Sequence, residues 1–230
     1  MLTYLDENLA FPDPNMALIR PNGLLAIGGD LSPERLSVAY RQGIFPWYND
    51  DEPILWWSPE PRAVFDPLQF HINRTFNKFL KKCDYKISIN HDFTAVIKGC
   101  AKNHGETWIT DEIIAAYIQF HQLGFAHSVE VWQNDQLVGG LYGVAQGAVF
   151  CGESMFSLKS NASKVALYAF SRHFSRCGGL LIDCQVINNH TASLGAFEIP
   201  RQKYLHYLKQ LQVIKLKSFC YDKQYLCYHS

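Results

Sequence analysis

Two acidic side chains and an amide stand in apolar stretches of the sequence, where a charged group needs a partner or a function. Asp183 and Gln185 lie in the run LLIDCQV at 180–186. The two-residue period of a strand predicts that they share one face while Cys184 occupies the other. Asp183 is either a strand-end carboxylate bonded to a loop or a site carboxylate beside an amide. Glu153 is either the cap of the next turn or a polar group in a hydrophobic cavity.

Other catalytic patterns are poorly supported. The sequence contains no G-x-S-x-G elbow, no H-E-x-x-H, no C-x-x-C pair and no Walker motif, and its nine histidines show no triad spacing. His190 and Ser193 fit one helical turn, where helix capping is the commoner role. We therefore expect no metal and no cofactor.

Composition indicates a cytosolic globular protein. The 230 residues are 48% hydrophobic, which is enough for a sizeable core, and no run of about 18 uncharged apolar residues suggests a membrane span. Seven cysteines, an odd number, fit reduced thiols better than a disulfide framework. We expect cytoplasmic localisation and no membrane partner.

Charge is unevenly distributed, although the formal net charge is zero. The sum is −6 through Asp66 and +6 beyond it. One basic cluster follows Asp66, and a second lies near the C-terminus. The first contains Arg74, Lys78, Lys81, Lys82 and Lys86; the second contains Arg201, Lys203, Lys209, Lys215, Lys217 and Lys223. Each cluster is either a solvated helix face or a phosphate contact.

The pattern of elements predicts an α+β protein with two domains. Residues 1–61, rich in turns and aromatic side chains, form a small loop-rich domain with one helix from Ser32–Pro33 to Gly43. Residues 62–230 form the larger domain. Its expected elements are a helix capped by Thr110 and ending at Gly124, an antiparallel hairpin at 128–132 and 136–144, a third strand at 147–153, a helix from Ser160 or Asn161 to Gly178, and a strand at 180–186.

This order of elements is typical of the second half of an acetyltransferase-like (GNAT-like) fold. An acetyltransferase would hold its coenzyme pyrophosphate on a glycine-rich turn before the helix. The junction here reads SLKSNASK and contains no glycine. An acetyl-CoA-dependent N-acetyltransferase is thus one alternative, disfavoured by this junction, and a non-catalytic RNA-binding module is another.

Long uninterrupted blocks carry a family resemblance. PNGLLAIGGDLSPERL, PILWWSPEPRAVF, LVGGLYGVAQGAVFCGESMFS, NASKVAL and HTASLGAFEIPR resemble the bacterial leucyl/phenylalanyl-tRNA–protein transferases of the N-end rule pathway. The resemblance extends from Phe11 to about Tyr207. It implies transfer of leucine or phenylalanine from aminoacyl-tRNA to proteins that begin with Arg or Lys, by a monomer without a cofactor.

The resemblance also implies roles for particular residues. The amino-acid pocket corresponds to Trp47, Trp108, Leu141, Phe150, Phe170 and Ile182, with leucine at 141 where methionine is expected. The polar residues of the reaction correspond to Glu153, Asp183 and Gln185, and the tRNA contacts to Arg74, Lys78, Lys81 and Lys82.

An aminoacyl ester is already activated, so positioning should dominate catalysis. We expect Asp183, oriented by or acting through Gln185, to bind the acceptor ammonium and take its proton.

Overall fold

The computed structural model describes residues 2–103 and 108–228. The helices in these ranges are α1 (Pro33–Arg41), α2 (Arg74–Leu80), α3 (Phe93–Asn103), α4 (Asp111–Gln122), α5 (Ala162–Arg176), α6 (Asn189–Ser193) and α7 (Arg201–Leu211). The strands are β1 (Thr3–Leu5), β2 (Leu24–Gly28), β3 (Phe45–Pro46), β4 (Leu55–Trp57), β5 (Arg62–Phe65), β6 (Lys86–Ile89), β7 (Ala126–Gln133), β8 (Gln136–Gln146), β9 (Val149–Ser157), β10 (Leu181–Gln185), β11 (Phe197–Ile199) and β12 (Gln224–Leu226).

The strands form two mixed sheets. The first has four strands in the order β1-β2-β4-β3, and the second has eight in the order β11-β5-β10-β9-β8-β7-β6-β12. Only β1–β2 and β9–β10 are parallel pairs among the described strands. The mixed α/β architecture expected from the sequence is confirmed at this level.

The predicted helix starts and hairpin are confirmed. Ser32 caps α1 by accepting from the Arg35 amide, and Thr110 caps α4 by accepting from the Ile113 amide. Strands β7 and β8 join at Asn134 and Asp135, whose φ angles of 51° and 58° fit a two-residue type I′ turn.

Two adjacent glycines let helices pack closely on both faces of the larger sheet. A Cβ on Gly139 would lie 2.5 Å from Cβ of Ala162 in α5, and one on Gly140 would lie 3.1 Å from Val96 in α3. Successive residues of a strand point to opposite faces, so α5 and α3 cover opposite sides of β8.

The core is continuous between the two sheets. One cluster of buried side chains runs from Leu36 and Trp56 of the N-terminal region to Tyr117, Val144 and Tyr204 of the larger sheet and its helices. A second cluster lies under α5. In the described parts of the chain, no helix is long and apolar enough to cross a membrane.

Candidate active site

A cavity of about 210 Å³ opens between the middle of the larger sheet, α5 and α6. Most of its wall is apolar, and Glu153 contributes a carboxyl group to it. The lining residues are Trp108, Leu141, Tyr142, Phe150, Gly152, Glu153, Ser154, Met155, Leu167, Ile182, Cys184, Asn188 and Thr191. Such a wall can hold a hydrophobic side chain beside one carboxyl group.

Glu153 occupies an irregular position of β9. Tyr142 of β8 pairs with Ser154 and Gly143 pairs with Gly152, so Glu153 lies in a bulge without a partner on β8. Bulges redirect a side chain at the edge of a site.

The Glu153 carboxyl group accepts hydrogen bonds on both oxygens. The Gln185 amide donates to Oε1 at 2.9 Å, and the Tyr117 hydroxyl donates to Oε2 at 3.3 Å. Tyr117 in turn shares a short hydrogen bond with the Tyr40 hydroxyl. The carboxyl is therefore held between strand β10 and helices α1 and α4.

Withdrawal from bulk water raises the pKa of Glu153 to about 8. The negative charge of Asp183 adds to this rise, whereas the Tyr40 and Tyr117 hydroxyls and the Arg62 charge oppose it. A carboxyl with such a pKa exchanges protons readily near neutral pH.

Asp183 does not line this cavity. Its side chain is 0% exposed and forms an ion pair with Arg62, whose Nε and Nη2 donate to Oδ1 and Oδ2 at 2.8 and 2.7 Å. The Tyr204 hydroxyl donates to Oδ2 at 2.7 Å, and the Gln185 backbone amide donates to Oδ1 at 2.9 Å. Burial alone would lower the pKa of Arg62, but Asp183 raises it, so the guanidinium remains charged.

Gln185 and Asp183 are separated by an irregularity in β10. Asp183 pairs with Val64 and Gln185 with Ala63, so the register shifts at Cys184, and Gln185 has a φ of 62°. The two-residue period used in the sequence prediction therefore does not extend to Gln185. Its backbone contacts Asp183, while its side chain reaches Glu153.

Four of the six predicted pocket residues line the cavity, namely Trp108, Leu141, Phe150 and Ile182. Phe170 lies behind the wall, with its ring centroid 4.4 Å from that of Phe150. Trp47 does not line the cavity. Its side chain is 46% exposed, and its ring centroid lies 5.6 Å from that of Trp57.

The first basic cluster is on the surface. Arg74, Lys78, Lys81 and Lys82 are exposed along α2 and the turn after it, and Lys86, the fifth member, is exposed at the start of β6. Arg201, a member of the second basic cluster, is not on the surface. It is only 8% exposed, and its side chain donates to the Ser58 carbonyl at 2.6 Å. Its inclusion in a solvated or phosphate-binding face was wrong.

Sequence reasoning missed Arg62, Tyr204, Tyr117 and Tyr40. Arg62 offered one signal, since a charge at the start of the apolar strand RAVF requires a buried partner. The tyrosines gave none, because helical aromatic residues are ordinary core residues.

One group of side chains has metal-ligand spacing among the described residues. The ligating atoms of His173, Cys177 and Cys220 lie within 4.8 Å of one another, but His173 Nε2 is bound to the Cys220 carbonyl at 2.7 Å. None of the three lines the cavity. The cysteines are all free thiols.

Two models of one known family match this chain. The family model of the leucyl/phenylalanyl-tRNA protein transferases matches residues 64–209, and the model of their N-terminal domain matches residues 29–60. The chain belongs to this family. Two transferases of that name, from Klebsiella pneumoniae subsp. pneumoniae and Pectobacterium atrosepticum, are each 60% identical to it. The alignments cover 91% of both chains in the first case, and 96% of this chain and 94% of the relative in the second.

A solved structure of L-PGS from Bacillus licheniformis also aligns with this member of the leucyl/phenylalanyl-tRNA protein transferases. The alignment covers 84% of this chain and 63% of the L-PGS chain, with a TM-score of 0.37 and 11% sequence identity. A likeness this low has no bearing on function.

Proposed function

We propose that the protein transfers leucine or phenylalanine from aminoacyl-tRNA to the α-amino group of proteins that begin with Arg or Lys, as in the N-end rule pathway. The observation that carries this proposal is the apolar cavity with the Glu153 carboxyl in its wall, in a chain of this family. Leu141, Phe150 and Ile182 offer contacts to the esterified side chain and favour apolar volume.

The reaction needs one proton acceptor. The α-amino group has a pKa of about 7.7 to 8.0, so freeing its lone pair at pH 7 costs about 1 kcal/mol. The pKa of Glu153 is raised to about 8, which closely matches that of the amine. We assign the acceptor role to the Glu153 carboxylate, with the Gln185 amide holding Oε1.

Proton transfer to Glu153 leaves a neutral amine. Its nitrogen attacks the ester carbonyl carbon and forms the peptide bond. The bond between this carbon and the ribose oxygen breaks, and the oxygen leaves with the electron pair. Glu153 gives its proton to that oxygen and becomes a carboxylate again. The nitrogen still carries one proton too many after the attack, and it releases this proton to the regenerated carboxylate and from there to solvent. Holding ester and amine in attack geometry is worth roughly 7 to 11 kcal/mol, so positioning contributes most of the rate.

Asp183 acts as a positioning residue in this proposal. Each of its oxygens already accepts two hydrogen bonds, and the Arg62 charge neutralises it. Its contact with the Gln185 backbone supports the conformation in which the Gln185 side chain reaches Glu153.

The exposed bases of α2 and of the turn after it are the proposed contacts to the tRNA acceptor stem. Arg74, Lys78, Lys81 and Lys82 offer positive charge with no acidic partner within ion-pair distance among the described residues. Phosphate binding of this kind depends strongly on salt and weakly on sequence.

The finer architecture is also a proposal. The antiparallel strands β7–β9, then α5, then β10 parallel to β9, support a GNAT-like larger domain from residue 62 and a separate N-terminal domain over residues 1–61. We further propose a cytoplasmic monomer that uses no cofactor.

The decisive experiment incubates the protein with radiolabelled phenylalanyl-tRNA and an acceptor protein beginning with Arg. Label should enter the acceptor, and acetylation of its α-amino group should abolish the incorporation. Transfer from acetyl-CoA instead, or no incorporation despite tRNA binding, would overturn the proposal in favour of an acetyltransferase or a binding module.

A further inference from the structure

Lys164 is a half-buried lysine to which neither the sequence nor the mechanism gave a role. It lies in the first turn of α5, and its Nζ is 4.5 Å from the ring centroid of Phe76 in α2. Burial lowers the pKa of its ammonium group. No carboxylate among the described residues lies within ion-pair distance of it. Its charge is therefore held in place without a counter-ion.

The position of Lys164 links the two sites described above. Leu167, three residues further along α5, lines the cavity. Residues three apart on a helix are neighbours on its surface. On its other side, Lys164 contacts α2 through Phe76, and α2 carries Arg74 and Lys78. Lys164 thus lies between the basic helix and the cavity.

His190 is a second basic side chain next to the cavity lining in sequence. It precedes Thr191, which lines the cavity, and it is exposed. Partial burial lowers the pKa of His190, and the positive charge of Lys164 lowers it further. Together they offer an ammonium and an imidazole, both able to donate hydrogen bonds to an anion.

Electrostatics at the start of α5 also favour an anionic ligand. The first turn of a helix carries a partial positive charge and usually attracts acidic residues. The first turn of α5 contains no acidic residue but does contain Lys164. The positive potential of the lysine and the helix start therefore adds up at one point of the surface.

We propose that Lys164 binds backbone phosphates of the single-stranded 3′ end of the donor RNA, between the stem on α2 and the esterified nucleotide at the cavity. This role rests on the proposed function. It extends the basic face of α2 to the mouth of the cavity and fixes the direction in which the strand enters.

The experiment compares two donors that differ in their phosphates. Phenylalanyl-tRNA carries the whole strand, whereas phenylalanyl-adenosine has no phosphodiester. Lys164→Met removes the charge but keeps an apolar stem over Phe76. We expect it to raise KM for phenylalanyl-tRNA about tenfold, as for loss of one hydrogen bond to a charged group. The slope of log KM against log salt should fall by about 0.7, the value for one single-strand phosphate.

Transfer from phenylalanyl-adenosine should be unchanged in Lys164→Met, which also shows that the variant is folded. Lys164→Arg should retain most of the tRNA affinity. Lys98→Ala is the matched control, because Lys98 is an exposed lysine on α3, on the opposite face of the sheet. Its KM and salt slope should equal those of the wild type.

Two results would overturn this role for Lys164. One is an equal loss with both donors, which would make Lys164 part of the cavity rather than a phosphate contact. The other is an unchanged salt slope. Binding of tRNA that carries no amino acid, followed by fluorescence anisotropy, separates the role of Lys164 from the proposed function. If the wild type binds this tRNA in a Lys164-dependent way but transfers no amino acid, the proposed reaction is refuted and the RNA contact stands.

Discussion

Arg62 and Asp183, 121 residues apart in sequence, form a buried two-point ion pair at 2.8 and 2.7 Å. Arg62 Nη1 also donates to the Gly43 carbonyl at 3.1 Å, just after α1. The pair therefore ties β5 and β10 of the larger sheet to the N-terminal region. A buried carboxylate in such a pair has a structural reason to exist, whether or not it takes part in chemistry.

We expect Asp183→Asn to destabilise the fold. Removing one partner of a buried ion pair typically costs about 3 to 5 kcal/mol, because the other charge stays buried. Urea unfolding should measure this loss. Asp135→Asn provides the control, since the Lys86–Asp135 pair is exposed and worth at most about 1 kcal/mol. Unchanged stability with a large loss of turnover would instead return Asp183 to the chemistry.

Glu153→Gln should remove the proton acceptor while keeping the shape of the cavity. A positioned general base contributes about 10² to 10⁴ to the rate, so kcat should fall by that range and KM for aminoacyl-tRNA should change little. In the wild type, kcat should rise with pH and level off above about 8, the pKa of Glu153.

The acceptor amine titrates in the same pH range, so the Glu153→Gln variant also serves as the control for the dependence of kcat on pH. Its residual activity should keep the titration of the amine and lose that of the carboxyl. Equal pH profiles for the two proteins would rule out Glu153 as the acceptor.

Stability should depend on pH through the same carboxyl. The pKa of Glu153 is raised from 4.5 to about 8 by folding, so the folded protein binds more protons than the unfolded chain between these values. The free energy of unfolding contributed by Glu153 therefore falls as pH rises from about 4.5 to 8 and is constant above that.

Glu153→Gln should remove this dependence. In urea unfolding at a series of pH values, the difference between variant and wild type should move in favour of the variant from pH 5 to pH 8. A difference that is constant with pH would mean that the pKa of Glu153 is not raised by folding.

Local elements were predictable from the sequence because their signals are local. Ser32 and Thr110 cap helices through hydrogen bonds to residues three positions away, and Asn134 and Asp135 tolerate the positive φ that a tight hairpin turn requires. Each of these features involves a few neighbouring residues. One sequence is sufficient to predict them.

Long-range partners were not predictable in the same way. The ion pair of Asp183, the burial of Arg201 and the register shift at Cys184 all depend on which distant residues face one another. A regular strand is the simplest assumption for LIDCQ, and it fails at Cys184 because β10 pairs differently with β5 before and after that residue.

The proposed tRNA contacts can be tested with the double variant Lys81→Ala and Lys82→Ala, in the turn after α2. Both lysines are exposed, so the change should leave stability unaffected. KM for aminoacyl-tRNA should rise, and the salt slope should fall by up to about 0.9 for each duplex phosphate lost. Lys98→Ala with Lys102→Ala, also exposed but on α3, should show neither change. An unaltered salt slope in the α2 variant would count against the tRNA face.

Two roles of the Trp47 side chain can be distinguished by experiment: stacking on the terminal adenine and contact with the aminoacyl side chain. Its indole is 46% exposed and lies outside the cavity lining, so we expect it to stack on the terminal adenine rather than on the aminoacyl side chain. Stacking of one base is worth about 1 to 3 kcal/mol. Trp47→Ala should raise KM for leucyl-tRNA and phenylalanyl-tRNA by the same factor, because both donors end in adenosine, and Trp47→Phe should restore much of the affinity. A loss confined to phenylalanyl-tRNA would mean that Trp47 contacts the amino acid, as the family resemblance implies, and that the pocket closes around the donor in a form different from this structure.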